Sequence, residues 1–67
     1  MGEYMSEYKI SRVIAAEQGK AVIEPIKLGG VTVTHCDVDT ADEMYINNFV
    51  IVTRVDDVIP TIVKVIK

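Results

Sequence analysis

Phe49-Val50-Ile51-Val52-Thr53-Arg54-Val55, followed beyond Asp56-Asp57-Val58 by Ile59-Pro60-Thr61-Ile62-Val63-Lys64-Val65-Ile66, is the stretch whose reading decides the fold. Seven of the ten residues from Val58 to Lys67 branch at Cβ. Such side chains lose rotamer freedom in a helix and pack well on a pleated strand. A helix starting at Asp56 is the rival, because Ile59, Ile62, Val63 and Ile66 would share one helical face. The density of branched residues decides for strands over 49–55 and 59–66, with Asp56-Asp57 as the polar turn between them. The same bias runs through the whole chain: 20 of its 67 residues are Val or Ile, five are Thr, and Leu28 is its one leucine. A helical protein of this size would rely on Leu and Ala instead.

Toward the N-terminus, residues 31–38 (VTVTHCDV) alternate cleanly, with Val31, Val33 and His35 on one face and Thr32, Thr34, Cys36 and Val38 on the other. Lys27-Leu28-Gly29-Gly30 is a turn, and residues 20–26 (KAVIEPI) form the strand before it. Pro25 cannot donate to a ladder, so it belongs at an edge or a bulge. Glu17-Gln18-Gly19-Lys20 is a second tight turn. Residues 8–16 read as the first strand, although Ile10, Val13 and Ile14 also fit a helical spacing. Residues 1–7 carry no period and read as a flexible tail ahead of a single small domain, 8–67.

Between the third and fourth strands the composition changes. In Asp39-Thr40-Ala41-Asp42-Glu43-Met44-Tyr45, Thr40 or Asp39 can cap a helix, and Glu43 follows Thr40 by three residues. Asn47-Asn48 can end it in the left-handed conformation. The expected fold is therefore mostly β: a small five-stranded barrel, OB-like or SH3-like, with one short helix between strands three and four.

A 67-residue chain buries only about 60% of the surface its unfolded form exposes, so its stability is marginal. Cys36 is the only cysteine, which rules out an internal disulfide and points to a reducing, cytoplasmic setting. No apolar run reaches the ~18 residues of a membrane span, and no signal peptide is visible. The net charge of −3 and pI near 4.9 disfavour a nucleic-acid partner. So does the absence of aromatics from 20–26 and 31–38, where Lys20 is the one basic residue.

Three groups could carry chemistry. His35-Cys36-Asp37 places a histidine beside a thiol, but neighbours on a strand point to opposite faces, so they cannot act as nucleophile and base. His35 and Asp37 share a face and could orient each other. Otherwise the pair is a half-buried strand histidine and a core cysteine. Asp37, Asp39, Asp42 and Glu43 supply oxygen donors for a divalent cation such as Ca²⁺ or Mg²⁺, or simply a solvated helix start. Gly29-Gly30 lacks the following helix and the Lys-Ser/Thr pair of a phosphate loop.

Both faces of 49–55 and 59–66 are apolar, whereas the strands of an isolated small barrel alternate apolar and polar. This predicts contact with other copies of the chain, with Val50, Val52, Ile62 and Ile66 as the outward interface residues. The leading expectation is a non-catalytic assembly or protein-binding module acting as a homo-oligomer, without a cofactor and not an enzyme. A small-ligand or cation-binding domain using 37–43, and an OB-type nucleic-acid binder, are the alternatives.

Gly19-Lys20-Ala21 opening a strand, Pro25, Gly30-Val31-Thr32-Val33, Tyr45-Ile46, the run Val50 to Val55 and the closing Ile62-Val63-Lys64-Val65 form one further pattern. Over residues 19–65 it resembles the soluble C-terminal domain of the NfeD family. That resemblance implies a five-stranded OB-fold of a kind often joined to membrane segments and associated with stomatin-like partners. It brings no catalytic residue to this chain.

Overall fold

The computed structural model describes residues 6–55 and 59–66. Its elements are β1 (Ser6–Glu17), β2 (Lys20–Leu28), β3 (Val31–Val38), β4 (Phe49–Val55) and β5 (Thr61–Ile66). They close into a five-stranded barrel in the order β1-β2-β3-β5-β4. The helical rival over 8–16 gives way to β1 and the one toward the C-terminus to β5 at Thr61–Ile66, as the excess of β-branched residues requires. Ser6 and Glu7, expected in the tail, already belong to β1. Residues 1–5 and the Asp56-Asp57 turn lie outside the described residues.

β1 closes the barrel by serving two neighbours. Its first half, Ser6 to Arg12, runs antiparallel to β4, and Val13 to Glu17 runs antiparallel to β2. The register shifts between Val13 and Ala15, so Ile14 is an extra residue that bends the strand from one partner to the other. β2 and β3 are joined by Gly29-Gly30, both at positive φ (62° and 78°), as a two-residue hairpin twisted to match its strands demands. Their ladder is irregular between Val22 and Ile26, and Pro25 falls inside that irregularity, where no amide hydrogen is needed. β3 meets β5 in parallel through only two pairs, Asp37 with Thr61 and Val38 with Ile62.

The barrel is filled by Val13, Ile23, Leu28, Val33, Val50, Val52, Ile62 and Val65, with Ala21 and Cys36. Val50, Val52 and Ile62 are fully buried, so three of the four residues expected at an outward interface form the core instead. Ile66 alone of the four faces out. Two apolar faces gave no signal as to which was inward, and β5 breaks the alternation. Val52 pairs with Ile62 but Ile51 pairs with Lys64, so Val63 is bulged out and Val65 returns to the core. The outer side of β1, β4 and β5 therefore carries a strip formed by Ile10, Ile51, Phe49 and Ile66, which are adjacent in register.

No helix forms between β3 and β4 among the described residues, which corrects the expected short helix. The cap itself forms: the Asp42 amide donates to Thr40 Oγ1 at 3.2 Å. The turns that should follow are drawn away, because short polar side chains offer the backbone other partners. Tyr45 donates its amide to Asn48 Oδ1 at 2.8 Å, and Asn47 donates to the Val13 carbonyl at 2.8 Å. Val13 in turn donates to the Asn48 carbonyl at 2.9 Å. Asn47 adopts φ 76°, the left-handed role assigned to it, but in a loop tied to β1. Among the described residues no helix is long and apolar enough to cross a membrane.

Candidate nucleic-acid interface

The gap left where β3 and β5 barely pair is a groove. One wall is the first half of β3, with Val31, Thr32, Thr34 and His35, and the other is Arg54, Ile59 and Pro60. Its volume is about 390 Å³. Arg54 reaches across from β4 to the β2–β3 hairpin: a β-carbon at Gly29 would stand 2.6 Å from its Nη1. Lys27, paired with Thr32 beside the same hairpin, is exposed. The groove thus offers a guanidinium, a nearby ammonium, two hydroxyls and an imidazole. These groups suit phosphate and sugar oxygens.

His35 is exposed, and its Nδ1 is hydrogen-bonded to Thr34 Oγ1 at 2.8 Å. It does not orient Asp37, whose Oδ1 instead accepts from Lys20 Nζ at 3.2 Å. Cys36 lies in the core, 3% exposed. Burial, helped by the charge of Asp37, pushes its thiol up to about 11, so it stays protonated and unreactive at neutral pH.

A second hollow of about 220 Å³ adjoins the groove and shares His35 and Ile59 with it. Its floor is apolar, with Ala15, Ala21 and Val22, and its rim carries Glu17, Lys20 and Asp37. It sits at the β1–β2 turn, where Gly19 at φ 79° lets Glu17 pair with Lys20 across a two-residue loop.

The four carboxylates expected to hold a cation are dispersed. Asp37 is paired with Lys20, and Asp42 Oδ2 accepts the Val65 amide at 3.3 Å. Glu43 hydrogen-bonds the Tyr45 phenol, and that bond, with the carboxylate's charge, pushes the Tyr45 pKa up. Asp39 is exposed, and its amide donates to the Ile62 carbonyl. Among the described residues no three acids, histidines or cysteines stand close enough together to bind a metal ion. Sequence reasoning passed over Arg54 and Lys27. A basic residue in an otherwise apolar strand (Arg54) was the available signal.

No family model and no solved structure matches the chain. It is similar to short segments of several curated proteins. It is 42% identical over 52 residues to the DNA ligase of Thermodesulfovibrio yellowstonii, covering 70% of this chain and 8% of that protein. It is 43% identical over 51 residues to the DNA ligase of a Marinomonas species, covering 69% and 8%. The DNA ligase of Roseiflexus castenholzii is 48% identical over 48 residues, covering 64% of this chain and 7% of that protein. The chain thus spans only 7–8% of the length of these relatives. Two expectations are overturned. The reading as no enzyme gives way, because the relatives carry an enzyme's name. The reading of nucleic acid as a disfavoured partner gives way as well, because that name refers to DNA.

Proposed function

We propose that this chain is an OB-type nucleic-acid-binding module that grips DNA through the β3–Arg54 groove, in the service of ligase-like strand joining. The observation that carries the reading is the coincidence of a groove lined by Arg54, His35 and two threonine hydroxyls with likeness to segments of DNA ligases. The strand order supports it: β1-β2-β3-β5-β4 closing on β1 is the Greek-key order of an OB barrel, and OB barrels bind oligonucleotides on strands two and three and on the first and last hairpin loops. The groove and the neighbouring hollow occupy those positions. A cytoplasmic location belongs to the same reading, in keeping with the lone core thiol.

Among the described residues the groove is lined by no Phe, Tyr or Trp, so these offer no platform on which successive bases could stack. Its groups address the backbone, which makes the binding sequence-independent and salt-dependent. Fluorescence anisotropy with a labelled duplex, repeated across salt concentrations, tests this. Affinity should fall steeply with salt, and Arg54→Ala should lower the slope of log K against log salt by about 1. A chain that binds no DNA even at low salt overturns the reading.

The strip of Ile10, Phe49, Ile51 and Ile66 supports a second reading, a protein-binding module. Sedimentation velocity at micromolar concentration tests self-association through it, and a clean monomer would remove that form of the reading.

A further inference from the structure

The hollow beside the groove differs from it in charge. Its rim holds two carboxylates, Glu17 and Asp37, against one ammonium, Lys20. Such a rim repels phosphate, whereas Arg54 and Lys27 attract it. The floor of Ala15, Ala21, Val22 and Ile59 suits a flat apolar face. An apolar cavity of ~150 Å³ is enough to take up benzene, so about 220 Å³ admits one heteroaromatic ring system. Lys20 occupies Oδ1 of Asp37, which leaves the carboxylate's remaining lone pairs to accept from a ligand.

Resting on the nucleic-acid reading, we infer that this hollow receives one unstacked base of the DNA whose backbone lies in the groove, and that it favours a base bearing an exocyclic amino group. His35 and Ile59 border both spaces, so a strand lying along β3 passes the mouth of the hollow. Adenine and cytosine carry amino donors that Asp37 and Glu17 can accept, whereas thymine presents a carbonyl oxygen and a methyl group in the same place. An unpaired base costs least to unstack, so the site favours DNA that already contains one.

The experiment uses four duplexes with identical flanks: fully paired, with one bulged adenine, with one bulged thymine, and with an abasic bulge. Anisotropy gives the affinities, and 2-aminopurine in place of the bulged adenine reports on its surroundings. The bulged adenine should bind roughly 10-fold tighter than the abasic bulge, the scale of one base contact, with a change in 2-aminopurine fluorescence. Ala15 is exposed, so Ala15→Phe fills the hollow without disturbing the core. It should abolish the preference while leaving affinity for the paired duplex unchanged. Asp37→Asn should narrow the gap between adenine and thymine. Equal affinity for the adenine and abasic bulges overturns the inference and leaves the backbone reading standing. Failure to bind any of the four overturns the functional reading itself.

Discussion

Gly29 and Arg54 touch across the mouth of the groove: the glycine lies at φ 62°, and a β-carbon there would be 2.6 Å from Arg54 Nη1. Gly30 has the same backbone need, with φ 78°, but among the described residues nothing lies within 4 Å of the position its β-carbon would take. The pair separates backbone strain from guanidinium placement. Placing alanine in the left-handed region costs about 1–2 kcal/mol, or a fall in melting temperature of about 4–8 °C per kcal/mol in a domain of this size. Gly29→Ala and Gly30→Ala should lose similar stability by thermal melting. Only Gly29→Ala should also weaken DNA binding, because it alone displaces Arg54. Equal weakening by both would mean that the hairpin, not the arginine, sets affinity.

The inward face of β4 and β5 gives a second test. Ile62 is fully buried and Ile66 is 37% exposed. Ile62→Ala should cost about 2–5 kcal/mol through lost burial and the cavity left behind. Ile66→Ala should stay within about 1 kcal/mol. Urea unfolding of the two variants reads the difference directly. Similar losses at both positions would show that the outer strip is itself covered by another subunit.

The five strands were legible because Cβ-branched residues and glycine-bearing turns are local signals. The inward face of β4 was not, because Val50 and Val52 alternate with Phe49 and Ile51, and hydrophobicity alone does not distinguish the pairs. The helix over 39–45 was expected from a cap that does form at Thr40, but the hydrogen bonds that replace the helix come from Val13 and Asn48. His35 was expected to orient Asp37 from the same strand face, yet it bonds Thr34 and borders two hollows. Arg54 acquires meaning only through the distant Gly29 turn, a tertiary contact that no spacing rule contains.

Cys36 makes stability depend on pH. Its folded-state pKa is raised from 9.0 to about 11, chiefly by burial. The unfolded chain therefore releases the thiol proton first as pH rises, and the folded state binds more protons between those values. The thiol's stabilising contribution is complete below pH 9 and is lost as pH climbs through about 11. Denaturant titrations from pH 8 to 11 should show stability falling more steeply in the native chain than in Cys36→Ala, whose midpoint will be lower at pH 8. Parallel curves would mean that the thiol is not held protonated by the core. Alkylation at pH 8 should likewise be slow until denaturant is added.

The loop over residues 39–48 is held by the Asp42 side chain and by the Asn47 backbone amide in place of helical turns. Asp42→Ala strips the Val65 amide of its carboxylate acceptor, leaving a part-buried donor without it at a cost of about 1–3 kcal/mol. Asn47 holds φ 76° while its amide bonds the Val13 carbonyl. Asn47→Gly keeps both features and relieves the backbone, so its stability should hold or rise slightly. Asn47→Val places a β-branched residue in the left-handed region and should lower the melting temperature clearly. Because Asp42 serves the Val65 amide rather than a cation, added Ca²⁺ should leave the melting temperature of the native chain unmoved. A rise with Ca²⁺ that disappears in Asp42→Ala would show instead that the carboxylates of this loop gather around an ion.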